Sequence, residues 1–160
     1  ARKNPDSEAY FMEIRHIFDE KHTFLPLLLL GDEQEDMIAR YLGRSDLFAL
    51  YDGGILRTVC AVMDEGCHTF EIKNLATSPA SQRRGYGSAM VAFVARRCQE
   101  LGGQRLLVGT GDSPLTLPFY RACGFRESHR VPDFFLKHYD HPIFEAGQQL
   151  TDMVYLSMQL

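Results

Sequence analysis

The architecture turns on residues 74–88, Asn74-Leu75-Ala76-Thr77-Ser78-Pro79-Ala80-Ser81-Gln82-Arg83-Arg84-Gly85-Tyr86-Gly87-Ser88. An apolar, strand-like run ends here, Pro79 marks the exit, and a glycine-containing loop opens directly into the best helical pattern of the chain. Strand, short loop and helix in that order make a local anion site. Gly85 and Gly87 let the backbone turn and let a ligand approach it, while the amides at a helix start point outward with the positive end of the helix dipole. Arg83 and Arg84 add charge beside them. The bland alternative is an exposed basic loop before a helix. A Walker loop would need Lys-Ser/Thr after its last glycine and a dinucleotide fingerprint a third glycine at the helix, and neither is present.

Downstream, residues 88–101 place Met90, Val91, Val94, Ala95, Cys98 and Leu101 on one helical face, and Gly102-Gly103 closes the pattern. A short strand is expected at 105–109. In the segment after it, Thr116 as N-cap puts Pro118 in the first turn, where no N–H is needed. Strands at 125–129 and 153–160 follow, separated by an aromatic loop at 131–147. Upstream, 11–17 reads as a strand, 18–30 has helical spacing interrupted by Pro26, and 33–42 is a helix stopped by Gly43. A hairpin joins 47–51 to 55–63 through Asp52-Gly53-Gly54, and Glu65-Gly66 turns the chain into a strand at 67–77. The expected class is α/β (α+β), a mixed, largely antiparallel sheet flanked by helices.

With 160 residues, 45% of them apolar and 24% charged, the chain can fill one core, so 12–160 is expected to form a single domain. Residues 1–11 are expected to be a non-native or disordered leader, with Met12 as the start. The net charge of -4 gives no whole-molecule attraction to nucleic acid or to an anionic membrane. The longest apolar run, seven positions at 24–30 including Pro26, falls far short of the roughly 20 needed for a membrane span. The four cysteines form no Cys-x-x-Cys pair and suit buried, reduced thiols in a cytoplasm. His138, Asp140 and His141 lack a further spaced ligand, so a polar loop is favoured there and no metal is expected.

The pattern Gln82-x-x-Gly85-x-Gly87 resembles the acetyl-coenzyme A loop of the GNAT superfamily of N-acetyltransferases. A second element, Phe119-Tyr120-Arg121-Ala122-Cys123-Gly124-Phe125, is similar to that superfamily's later helix and strand. The resemblance implies a GNAT-like sheet, splayed at the cofactor site, with acetyl-CoA as cosubstrate. The backbone of Leu75, Ala76 and Thr77 would pair with the pantetheine arm like an added strand, and the Ala76 N–H would polarise the acetyl carbonyl. Gln82, Arg83, Arg84, Gly85, Tyr86, Gly87 and Ser88 would hold the pyrophosphate. Where the superfamily often has Asn before the tyrosine, this chain has Ser113, which either substitutes in the cofactor contact or caps a helix.

Acetyl transfer to an amine needs a neutral nucleophile, a polarised carbonyl and a proton for the departing thiolate. Tyr120 matches the position where the superfamily uses a tyrosine as general acid; a buried aromatic is the other use of such a residue. Glu71 resembles the general base of the histone-modifying branch, or is a solvent-facing strand carboxylate. Tyr139 and Phe134 in the aromatic loop would line the acceptor pocket, or belong to a hydrophobic cover or dimer contact. A homodimer is compatible with the sequence. The implied reaction is direct transfer to the primary amine of a small molecule, the alternatives being a protein or peptide amine or a non-catalytic CoA-binding module.

Overall fold

The computed structural model describes residues 11–160, and the expected leader lies, except for Phe11, outside the described residues. In chain order the elements are β1 (Met12–Ile17), α1 (Leu25–Gly31), α2 (Glu35–Ala39), β2 (Asp46–Asp52), β3 (Ile55–Gly66), β4 (Thr69–Thr77), α3 (Tyr86–Glu100) and β5 (Arg105–Gly111). They continue with α4 (Leu117–Ala122), β6 (Arg126–Val131), α5 (Phe134–His138), β7 (Phe144–Glu145), β8 (Gln148–Gln149) and β9 (Met153–Gln159). Seven strands form one sheet in the order β1-β2-β3-β4-β5-β9-β6, and β7 pairs with β8. The sheet is mixed: β4 and β5 are parallel, whereas β1–β2, β2–β3, β5–β9 and β6–β9 are antiparallel. This is the expected class.

Packing groups the described residues into two compact units, one from 11–63 and Lys73–Val94, the other from Asp64–Ile72 and Ala95–Leu160. In the first, Gly53 and Gly54, with φ of 61° and 74°, make the two-residue turn of the β2–β3 hairpin. Its core joins Leu27 and Leu28 of α1, Ile38 of α2, Tyr41, and Leu47, Ala49, Val59, Ala61 and Ala76 from β2, β3 and β4. The helix expected over 18–30 is confined to Leu25–Gly31, because Pro26 has no N–H to give to a ladder and fits only the first turn; a 3-10 turn at Lys21–Phe24 precedes it. The helix expected over 33–42 is likewise shortened to α2.

A polar bridge ties α1 to β4. Asn74, 4% exposed, donates through Nδ2 to the Leu28 carbonyl (2.9 Å) and to the Tyr41 hydroxyl oxygen (3.0 Å), while Tyr41 donates to Asp32 (3.3 Å). A Cβ at Gly31 would lie 2.2 Å from Asn74 Oδ1, so only glycine lets the end of α1 come this close. Lys73, the residue before Asn74, also reaches Tyr41, its ammonium 6.0 Å from the ring centroid, while β4 keeps strict alternation, with Phe70, Ile72, Asn74 and Ala76 buried.

In the second unit β5 runs antiparallel to β9 from Arg105↔Gln159 to Gly111↔Met153. The turn into β4 is made by Cys67 and His68, with φ of 51° and 60°, two residues later than Glu65-Gly66 suggested; Cys67 is exposed rather than buried. Leu101, expected on the buried face of α3, is exposed, because the helix stops at Glu100 and Gly102 (φ 87°) reverses the chain. The region expected as an aromatic loop at 131–147 holds α5 and one strand of the β7–β8 ribbon over a small core of Phe135, Ile143 and Leu150, with Phe134, Tyr139 and Met153 packed against it.

Burial, and next the Asp32 carboxylate, push the Tyr41 hydroxyl well above the ordinary tyrosine value of 10.0. The folded state therefore keeps a proton that the unfolded chain loses, so this contribution is intact below about pH 10 and declines as pH rises further. Denaturant titrations at about pH 8 and about pH 11 should show a larger loss of stability for the natural protein than for Tyr41→Phe. Equal losses would show that Tyr41 keeps an ordinary titration.

Candidate active site

The loop of residues 78–85 is built between β4 and α3 in the first unit. The Thr77 carbonyl accepts from the Gln82 side-chain amide (3.2 Å), and Thr77 Oγ1 hydrogen-bonds Thr58 Oγ1 (2.8 Å). A 3-10 turn at Pro79–Ser81 follows, in which the Ser81 N–H donates to the Ser78 carbonyl (2.9 Å). Arg83 and Gly85 then take left-handed conformations, with φ of 61° and 86°. For Gly85 this costs little; for Arg83 it is a strained backbone of the kind found where successive amides converge on an anion. The first bond of α3 runs from the Ala89 N–H to the Gly85 carbonyl (3.0 Å), which makes Gly85 the N-cap and brings the positive end of the helix dipole to residues 85–88.

One detail differs from the sequence reading of this loop. Gly87 does not turn the chain, since it lies within α3, so its use is confined to the absence of a side chain. Gln82 closes the loop through its amide. Arg83, Arg84 and Ser88 are exposed, whereas Tyr86, the first residue of α3, is 6% exposed. The Tyr86 hydroxyl donates to Asp52 Oδ2 (2.6 Å), and its ring lies against the Arg84 and Arg57 guanidiniums, 5.3 and 5.5 Å from their carbons. The bond to Asp52, and then burial, raise the Tyr86 hydroxyl above its ordinary value. Leu75 is half-buried and Ala76 belongs to the core of this unit.

In the second unit Tyr120 sits on α4, 7% exposed, its ring edge-on to Phe119 (5.1 Å between centroids) and Phe125 (5.6 Å). The Phe125 N–H donates to the Tyr120 carbonyl and the Gly124 N–H to that of Arg121, each at 3.0 Å, with Gly124 at φ 104°. This is a Schellman motif, in which an apolar residue after the left-handed glycine packs back onto the last helical turn. It explains locally why Tyr120, Gly124 and Phe125 occur at that spacing. Ser113, 1% exposed, accepts from the Leu115 N–H at its Oγ (3.1 Å) and from the Leu117 N–H at its carbonyl (3.1 Å). Thr116 is the N-cap of α4 as expected, but it makes no side-chain cap bond and its Oγ1 instead bonds Thr110 Oγ1 (2.7 Å); Pro118 stands in the first turn as expected.

Glu71 is half-buried on β4, in register with Leu107 of β5. Its charge reaches Tyr155 of β9, whose hydroxyl is raised first by burial, then by Glu71 and Glu65. Tyr155 stacks on His129 (4.7 Å, 6° between planes), and a Cβ at Gly109 would come within 3.0 Å of its ring, so that glycine leaves room for an aromatic rather than forming a turn. Phe134 contacts Phe135 (5.5 Å) and His138 (4.5 Å), and Tyr139 stacks on Phe135 (5.5 Å). His141 and Asp140 form an exposed pair, and no group of three metal-binding side chains occurs among the described residues. Sequence reasoning missed Asp52, Arg57 and Tyr155. Asp52 reads only as a turn residue, and no local pattern links it to Tyr86.

Residues 11–125 match the profile of the Acetyltransferase (GNAT) family. A Bacillus subtilis (strain 168) protein described as the uncharacterised N-acetyltransferase YvbK is 37% identical over 135 residues, 84% of this chain and 87% of its own. Among solved structures, an IAA acetyltransferase from Bacillus cereus ATCC 14579 is 33% identical with a TM-score of 0.87, over 94% of this chain and 100% of that one. A Bacillus subtilis acetyltransferase in complex with CoA is 34% identical with a TM-score of 0.87, over 94% and 99%. A GNAT family acetyltransferase from Elizabethkingia anophelis with acetyl-CoA bound is 29% identical with a TM-score of 0.88, over 93% and 98%. With its glycine-capped helix after β4, its tyrosine-bearing α4 and a family match over most of its length, this chain belongs to the GNAT family and is an N-acetyltransferase.

Proposed function

We propose that this N-acetyltransferase moves the acetyl group of acetyl-CoA directly onto the primary amine of a small molecule. The observation that carries the cofactor part of the reading is the cap of α3: a left-handed Arg83, a left-handed Gly85 and the start of a fifteen-residue helix in one short segment. These residues fit a diphosphate, since the helix dipole, the loop amides and the Arg83 and Arg84 charges all favour an anion there. The residues of β4 in register with β5 are Thr69–Ile72, and Leu75, Ala76 and Thr77 follow them. In this reading their backbone takes the pantetheine arm as an added strand, with the Ala76 N–H on the acetyl carbonyl.

The chemistry assigned to the chain is proton management. Glu71 takes a proton from the acceptor ammonium to free its amine, a carbon–nitrogen bond forms as the carbon–sulfur bond breaks, the Tyr120 hydroxyl gives its proton to the departing thiolate, and the proton shed by the new amide nitrogen restores Tyr120. Tyr139 and Phe134 border the acceptor, a role accommodated by their half-buried positions at the rim of the small core. No helix among the described residues is long and apolar enough to cross a membrane. None of the four cysteines is in a disulfide, which accords with a cytoplasmic setting.

Gly87→Val puts a branched side chain where a phosphate would meet the backbone, and within a helix valine is a better former than glycine. Calorimetric titration should show acetyl-CoA binding weakened by about tenfold or more with the fold retained. Unchanged affinity would remove the loop from the site.

Tyr120→Phe keeps the ring against Phe119 and Phe125, so stability should change little while kcat falls by about 10²- to 10⁴-fold and acetyl-CoA still binds. Glu71→Gln should lose most activity at low pH, where the amine is protonated, and regain part of it as pH rises; Tyr120→Phe should show no such rescue. Steady-state rates across pH, with chemistry shown to be rate-limiting, separate the two roles. Near-normal turnover of Tyr120→Phe would hand leaving-group protonation to another donor.

A further inference from the structure

The segment 78–86 is fastened by one small group of side chains from the β2–β3 hairpin. At one end the Ser78 N–H donates to the Arg57 carbonyl (2.9 Å), Arg57 Nη1 donates to Ser81 Oγ (3.1 Å), and Ser78 Oγ donates to Ser81 Oγ (2.9 Å). At the other end the Tyr86 hydroxyl donates to Asp52 Oδ2. The two ends are joined beneath the loop, because Arg57 Nη2 donates to the Asp52 carbonyl oxygen (3.3 Å) and the Arg57 guanidinium lies against the Tyr86 ring. Arg57 Nε is buried without a hydrogen-bond partner, an arrangement that persists only where the surroundings over-determine the side chain. Between the fastened ends, Gln82 to Gly85 are exposed and Arg83 is held left-handed.

We propose that Asp52, with Arg57, is a positioning residue for the cofactor: its carboxylate fixes the first residue of α3 through Tyr86, so the loop amides are already in place when a diphosphate arrives. This rests on the acetyl-CoA reading of the loop. The gain is pre-organisation, since the cost of ordering the loop is met in the folded state rather than on binding. The sign of the effect separates the hydrogen bond from the charge. By electrostatics alone, removing a carboxylate near an anion site strengthens anion binding, whereas loss of positioning weakens it.

The test is calorimetric titration of CoA into the natural protein, Asp52→Ala, Asp52→Asn and Tyr86→Phe, with turnover on acetyl-CoA and on S-acetylpantetheine, which lacks the diphosphate. Asp52→Ala should raise the Kd for CoA and the KM for acetyl-CoA about tenfold with kcat little changed, the size expected for a lost hydrogen bond to a charged group. Asp52→Asn keeps an acceptor for Tyr86 and should bind CoA within about threefold of the natural protein. Tyr86→Phe removes only the donor and should weaken CoA binding in the same direction, which keeps the test decisive if Asp52→Ala fails to fold. Turnover of S-acetylpantetheine should be the same in the natural protein, Asp52→Ala and Asp52→Asn. CoA affinity unchanged or increased in Asp52→Ala and Tyr86→Phe, or an equal loss on both substrates, overturns the positioning role. A natural protein that does not bind CoA overturns the cofactor reading itself.

Discussion

The reversal of the chain between the end of β4 and the start of α3 is the constraint on which the rest depends. Nine residues, Thr77 to Gly85, must leave a strand and deliver a helix with its amide end exposed. Two left-handed residues achieve this, and only one of them is glycine. The strain at Arg83 is offset by hydrogen bonds at both ends of the segment, from Gln82 to Thr77, Arg57 to Ser81 and Tyr86 to Asp52. A loop of this kind can be both exposed and ordered, which an anion site requires.

A second constraint acts upstream on the same strand. Asn74 is a buried amide that satisfies a carbonyl of α1 and the hydroxyl of Tyr41, so it fixes α1 to β4 just before Leu75. An apolar residue there would remove two hydrogen bonds, each worth about 0.5–1.5 kcal/mol net, while Tyr41 kept its bond to Asp32. The segment assigned to the pantetheine arm is therefore bounded by specific polar contacts on both sides: Asn74 before it and the Thr77 carbonyl with Gln82 after it.

Much of this was legible in the sequence where local chemistry decides the outcome. Gly53-Gly54 announced the hairpin, Pro118 placed the start of α4, and Gly85 before an apolar helical pattern announced the capped start of α3. The misses share a physical cause. Cys67 and His68 form a positive-φ turn without being turn-type residues, so no propensity flagged them. The five-residue α5 exists because Phe135 packs on Ile143 and Leu150, a tertiary contact that no local pattern encodes. Asp52, Arg57 and Tyr155 act through residues distant in sequence, and single-chain periodicity carries no signal of such meetings. Tyr120 is the instructive case: the Schellman motif accounts for its spacing to Gly124 and Phe125 by packing alone, so its chemical role must be decided by kinetics.

Direct transfer to an amine is tested most simply with isotopically labelled acetyl-CoA. The protein is mixed with the labelled cosubstrate, with and without a panel of primary amines, and both the small molecules and the intact protein are weighed by mass spectrometry. The account predicts a labelled N-acetyl amide from at least one amine, with the protein mass unchanged when no amine is present. Stoichiometric label on the protein in the absence of amine, or thiol release with no acetylated amine in any mixture, would contradict it.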